Sequence, residues 1–203
     1  KRHQGLIPLI GGIALFLGNL TFYAFQYDTM PLPGLYLLSV TILSIIGVLD
    51  DRFDISPALR AGIQAVLAGA MIYSGLELES LGQIIAPFSI KLGFFSLLFT
   101  VFITIGVINA FNMVDGIDGL LAGLSSVSFA GIGVLMWING EHAIAFWCLA
   151  IILTLIPYAM FNLSVFGAKW KVFMGDSGST LIGFTIIWML LLSTQGQGHA
   201  ISP

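Results

Sequence analysis

Leu35-Tyr36-Leu37-Leu38-Ser39-Val40-Thr41-Ile42-Leu43-Ser44-Ile45-Ile46-Gly47-Val48-Leu49 runs without a charge directly into Asp50-Asp51-Arg52-Phe53-Asp54. A run this apolar that ends in two adjacent carboxylates reads as a membrane span whose last turn reaches water. An Asp at the membrane centre costs about 2.5–3.5 kcal/mol on insertion scales and less at the rim. The pair therefore belongs at the rim, where solvation or a function offsets its cost. Taken alone, Asp50-Asp51 also fits a solvated helix end with Arg52 as counter-charge, so the rest of the chain has to decide.

The same pattern repeats along the chain. Apolar runs near 6–26, 34–49, 58–76, 92–111, 119–138, 142–165 and 179–195 predict seven spans. A spanning helix needs about 20 residues, so the second and last runs require tilt or extension into their flanking loops. Hydrophobic residues make up 58% of the 203 and charged residues 8%, where a soluble domain carries about 25% charged. The fold class is all-α, a polytopic transmembrane helix bundle, with residues 1–203 as one membrane domain. A net charge of −3 without Lys/Arg clusters gives no field able to hold nucleic acid. Cys148 is the only cysteine and lies inside an apolar run, so it forms no intrachain disulfide and reads as a small core residue.

Seven crossings place the N-terminal tail and the segments near 50–57, 112–118 and 166–178 on one face. Lys1, Arg2, Arg52, Arg60, Lys169 and Lys171 fall there and Lys91 alone falls opposite, so the positive-inside bias makes the first face cytoplasmic. Asp50, Asp51, Asp54, Asp115, Asp118 and Asp176 land on that same face, whereas Asp28, Glu77, Glu79 and Glu141 do not. Solvation alone does not demand Asp over Glu. Short, stiff carboxylates suit a site that fixes a metal or a proton.

A second cluster, Asn109-Ala110-Phe111-Asn112-Met113-Val114-Asp115-Gly116-Ile117-Asp118-Gly119-Leu120, ends the fourth run. If it is helical, Asn109, Asn112, Asp115 and Asp118 follow one another at three-residue steps and form one stripe of oxygen-bearing side chains. Oxygen ligands suit a hard cation such as Mg²⁺, completed by waters and substrate phosphates. Gly116 and Gly119 leave room for a base or a phosphate to approach the backbone. The plainer reading is a turn capped by Asn and Asp side chains.

The third cluster, Lys169-Trp170-Lys171-Val172-Phe173-Met174-Gly175-Asp176-Ser177-Gly178-Ser179, opens the last run. It reads as a helix N-cap or as an anion-binding turn with two lysines beside it. His3, His142 and His199 show no metal-ligand spacing, and Ser177 and Ser179 have no nearby His, which argues against acyl transfer. Gly119 and Gly123 form a Gly-x-x-x-Gly step suited to close helix packing. A transporter would carry relay carboxylates within its spans, but these lie at span ends. A CDP-alcohol phosphotransferase would need an Arg after Asp115-Gly116, where this chain has Ile117-Asp118-Gly119.

In order along the chain, Ile7-Pro8-Leu9-Ile10-Gly11-Gly12, Leu49 through Asp54, Asn109 through Leu120, and Phe173-Met174-Gly175-Asp176-Ser177-Gly178-Ser179 resemble the bacterial polyprenyl-phosphate N-acetylhexosamine-1-phosphate transferases. The resemblance is strongest to the branch that moves N-acetylglucosamine-1-phosphate (GlcNAc-1-phosphate) to undecaprenyl phosphate and so starts O-antigen and enterobacterial common antigen. The phospho-muramoyl-pentapeptide branch usually has Pro-Thr-Met-Gly-Gly where Pro8-Leu9-Ile10-Gly11-Gly12 stands here. Members of the family carry about ten or eleven spans and a later histidine-containing loop, which makes this chain a fragment incomplete at both ends.

The resemblance implies a Mg²⁺-dependent (or Mn²⁺-dependent) enzyme with UDP-GlcNAc and undecaprenyl phosphate as substrates and UMP as the released product. It implies a bacterial inner membrane, a cytoplasmic active site and, as one assembly state, a homodimer. By motif position Asp176 and Asn112 belong to the metal–diphosphate site. Asp50, Asp51 and Asp115 are the catalytic candidates. Gly116, Ile117, Asp118 and Phe173 belong to the uridine pocket, with Phe173 stacking on uracil and Asp118 accepting from its N–H.

Overall fold

The computed structural model describes residues 7–82 and 90–195. Within them the chain forms α1 (Gly11–Gln26), α2 (Pro33–Phe53), α3 (Pro57–Tyr73), α4 (Ser96–Val114), α5 (Leu120–Ile138), α6 (His142–Asn162) and α7 (Gly175–Thr194). The described residues contain no β-strand beyond an isolated Ser80–Lys91 bridge. Five of the helices, α2, α4, α5, α6 and α7, are long and apolar enough to cross a membrane. The chain is thus an all-α, multi-pass membrane bundle.

The predicted spans meet the observed helices one for one, but the short ones differ. Helices α2 and α7 reach 21 and 20 residues because each continues through its aspartates. The short helices are α1 and α3, at 16 and 17 residues. Helix α1 starts at Gly11 because the backbone before it is used otherwise. The Phe173 N–H donates to the Pro8 carbonyl at 3.1 Å, and the Gly11 and Gly12 N–H groups donate to the carbonyls of Phe173 and Met174 at 3.1 and 2.9 Å.

Each helix from α1 to α6 packs on the next, and α6 returns to α1, so six helices close a ring around α7. Of the α7 span 83% is buried, against 22–39% for the other spans. Small residues let it approach so closely. A Cβ on Gly12 would land on the Ser177 side chain and the Gly178 backbone, one on Gly47 on the backbone of Asp176 and Ser177, and one on Gly183 on the Val107–Ile108 backbone of α4. Gly123, by contrast, faces open space and Gly119 meets only Leu163. The expected Gly-x-x-x-Gly packing step is therefore absent there.

Mid-bundle, a polar chain locks the ring to its axle. The indole N–H of Trp147 donates to Asn19 at 2.8 Å, the Asn19 amide donates to the Tyr36 hydroxyl at 2.9 Å, and that hydroxyl meets Thr185 Oγ1 at 2.8 Å. These bonds join α6, α1, α2 and α7 among the stacked rings of Tyr23, Tyr36 and Phe184 and the tilted ring of Trp188. Cys148 is buried, as expected. His142 lies against the Trp137 ring at the end of the bundle away from the aspartates. Lys1, Arg2, His3 and His199 lie outside the described residues.

Candidate functional site

The site grows from the first turn of α7. Gly175 adopts φ +74°, and a Cβ there would meet the Asp51 carboxylate at 2.5 Å. The glycine lets that carboxylate reach the helix end, where Asp51 accepts the backbone N–H of Asp176 at 3.1 and 3.2 Å through its two oxygens. Asp51 thus supplies from another helix the cap that α7 lacks locally. The anion-binding turn expected at 175–179 is already filled by a carboxylate of the protein itself.

The Asp176 side chain faces α4 and α3. Its Oδ1 accepts from Asn112 Nδ2 at 2.7 Å, and its Oδ2 accepts from Arg60 Nη1 at 3.3 Å. Asn112 also donates to Ser179 Oγ at 3.1 Å. The same Arg60 nitrogen donates to Asp50 Oδ2, while Asp50 Oδ1 accepts the Ile55 N–H at 2.7 Å. Asp50 is buried and both its oxygens are committed, so it supports the α2–α3 turn and aims Arg60. Asp115 completes the group. Burial pushes its carboxyl up to about 7, helped by the negative charges of Asp176 and Asp51 and opposed by the Gly175 N–H and the Tyr158 hydroxyl.

Asp50 and Asp176 share the Arg60 guanidinium, and Asp51 and Asp115, from the same and from a third stretch of chain, stand beside Asp176. All are oxygen donors, the chemistry a hard divalent cation takes, and their surplus negative charge is what such a cation neutralises. Among the described residues no three His, Cys, Asp or Glu side chains form a ready cage. Mg²⁺ commonly uses one or two carboxylates and takes its remaining ligands from water and substrate phosphates. The residues present fit it.

The predicted stripe does not continue. Helix α4 stops at Val114, and the Asp115 N–H bonds the Asn112 carbonyl at 3.3 Å in a three-residue step. The chain then reverses at Gly119, φ +76°. Asn109 faces α3, donating to Gln64 Oε1 at 2.8 Å. Asp118 accepts from Lys171 Nζ at 2.6 Å. Lys171 Nζ also sits 5.5 Å from the centre of the Phe173 ring. Asp118, Lys171 and Phe173 thus form a second group beside the first, rimmed by exposed Gly116 and Ile117. Gly116 meets little, and its φ is not one that requires glycine.

Sequence reasoning missed three polar contributors and the role of three glycines. Arg60 appeared only as a basic residue in the positive-inside count, although its position in the first turns of α3 puts it at the aspartate end. Asn162 and Tyr158, one turn apart on α6, left no sequence signal beyond being polar in an apolar run. The glycines of Ile10-Gly11-Gly12 and Gly47 had a motif but no stated role.

The family model described as "Glycosyl transferase family 4" matches residues 34–194. The chain belongs to this family. Among curated members, undecaprenyl-phosphate α-N-acetylglucosaminyl 1-phosphate transferase of Haemophilus influenzae is 62% identical over the whole of this chain and 58% of its own length. The Salmonella typhi protein of the same name is 52% identical over the whole chain and 56% of its own length. The chain thus spans a little over half the length of these relatives. Every residue of the two side-chain groups except Arg60, Asp50 and Asp51 comes from Asn112–Asp118 or from the α6–α7 segment, and all lie inside the matched region.

Proposed function

We propose that the full-length protein transfers GlcNAc-1-phosphate from UDP-GlcNAc to undecaprenyl phosphate, releasing UMP. The observation that carries this reading is the placement of Asp176. It sits in the first turn of the most enclosed helix, held by Asn112 and Arg60 and capped by Asp51, in a chain with such close GlcNAc-1-phosphate transferase relatives.

In this reaction an oxygen of the lipid phosphate attacks the sugar-bearing phosphorus, a new diphosphate bond forms, and the bond to the uridylyl phosphate breaks. UMP leaves with the bonding electron pair. Both partners are anions, so positioning and charge neutralisation dominate. Asp176, with Asp51 and Asp115 beside it, would hold Mg²⁺ or Mn²⁺, which when bound neutralises phosphate charge. Asn112 fixes the orientation of Asp176, and Asp50 does so through Arg60. Asp115, whose carboxyl burial pushes up in the metal-free protein, is the further catalytic candidate beside Asp176. Attack is direct, because the lipid phosphate is itself the nucleophile.

Asp118 and Phe173 form the uridine pocket, with Gly116 and Ile117 at its rim and Lys171 between base and phosphates. The protein acts in the bacterial inner membrane with this end of the bundle cytoplasmic. Arg52, Arg60, Lys169 and Lys171 lie at that end.

The test supplies UDP-GlcNAc, radiolabelled in the sugar, and undecaprenyl phosphate to the full-length protein in detergent. Labelled lipid with an equal yield of UMP is expected. Label transfer only from UDP-MurNAc-pentapeptide would overturn the donor assignment. In the same assay Phe173→Ala is expected to raise the donor KM about tenfold, the loss of one stacking contact worth about 1–1.5 kcal/mol.

A further inference from the structure

We infer that Asn162 is a positioning residue that holds the two walls of the donor pocket at a fixed separation, an inference that rests on the transferase reading above. One wall is the turn carrying Asp118, and the other is the extended segment carrying Lys171 and Phe173. Asn162 sits at the last turn of α6, is 3% exposed, and touches both. Its Oδ1 accepts the Gly119 N–H at 2.6 Å and its Nδ2 donates to the Val172 carbonyl at 3.0 Å.

Each bond lands one residue from a pocket side chain. Gly119 follows Asp118, and Val172 lies between Lys171 and Phe173. The Asn carboxamide offers donors and an acceptor on a short flat fork whatever the pH, so a single side chain bridges an N–H on one segment to a C=O on the other. Neither backbone group is paired within a helix, and leaving either unpaired while buried costs about 1–3 kcal/mol.

The surroundings remove the slack. Gly119 is at φ +76°, and a Cβ there would strike the Leu163 side chain at 2.7 Å. The turn therefore rests directly on the residue after Asn162. One turn back on α6, Tyr158 reaches Asp115 and the Met174 backbone, so the same helix end indexes the carboxylate group as well. The part-buried Lys171–Asp118 contact at 2.6 Å is a second tie between the walls. Asn162 joins them from beneath.

The experiment compares Asn162→Asp and Asn162→Ala with Phe173→Ala in the full-length protein, measuring donor KM, acceptor KM, kcat and melting temperature. Asn162→Asp keeps the shape and the acceptor for Gly119 but, once ionised at the alkaline end of the assay range, presents an acceptor to the Val172 carbonyl. Both Asn162 variants are expected to raise the donor KM about tenfold, with kcat within threefold of the parent and the undecaprenyl phosphate KM unchanged. An unchanged donor KM in the Asn162 variants, alongside a raised one in Phe173→Ala, would overturn the positioning role and leave the pocket standing. An unchanged donor KM in all three would remove the pocket itself. Loss of folded protein in both Asn162 variants, or a parallel rise in both KM values, would assign Asn162 to general stability and overturn the inference.

Discussion

The Asp51 carboxylate caps the α7 helix by accepting the Asp176 N–H through both oxygens, at 3.1 and 3.2 Å. The tip of one span thereby fixes the start of another, and the side chain of Asp176 is left free to face Asn112 and Arg60. Asp51→Asn retains an oxygen for the cap and removes the charge. Its melting temperature should stay within a few degrees of the parent while transfer falls more than about a hundredfold. Asp51→Ala loses the cap too, at about 1 kcal/mol, and should melt lower. Equal activity in Asp51→Asn and the parent would remove Asp51 from the reaction.

Arg60 bridges Asp50 and Asp176. Arg60→Ala leaves buried Asp50 without its counter-charge, and breaking such a pair costs about 3 kcal/mol. Arg60→Lys should recover much of that stability but little of the transfer rate, because its ammonium, on a shorter side chain, holds Asp50 without also orienting Asp176. Denaturation in detergent and initial rates together check both statements.

Which parts of this arrangement the sequence could disclose follows from range. Apolar run lengths set the helices, because a span must satisfy its backbone internally wherever it sits in the bundle. Asp50, Asp51 and Asp176 stood out because carboxylates at span ends are costly without a reason. The break after Val114 was not legible, since a three-residue step and a helical step place Asn112 and Asp115 alike until Gly119 reverses the chain. Arg60 and Asn162 were invisible for a different reason. Each is a single polar residue in an ordinary helix, and its meaning comes from partners 116 and 43 positions away. The extension of α2 through Asp51 likewise needed the N-terminus of α7 beside it.

Gly47 lies against the backbone of Asp176 and Ser177. Gly47→Ala forces α2 and α7 apart, at about 1–3 kcal/mol for overpacking, and carries Asp51 with it. Both the melting temperature and the rate should fall. Gly62→Ala, inside α3 at a position with nothing within 4 Å, is the control and should lower neither, since Ala is the better helix former.

Asp115 holds its proton to about pH 7 in the folded, metal-free protein, whereas an unfolded Asp releases it near pH 4, at about 3.9. Between those values the folded state binds more protons, so this group's contribution makes stability fall as pH rises from about 4 to 7. In EDTA, Asp115→Asn should show a shallower fall in melting temperature across that window than the parent. Identical slopes would contradict the burial of this carboxyl.

The most direct test of the account follows transfer from UDP-GlcNAc to undecaprenyl phosphate as Mg²⁺ is titrated back into EDTA-treated full-length protein, for the parent and for Asp176→Asn. No transfer is expected without metal, saturable recovery is expected in the parent, and none in Asp176→Asn although that variant remains folded and inserted. Undiminished transfer in EDTA, or recovery in Asp176→Asn equal to the parent's, would contradict this.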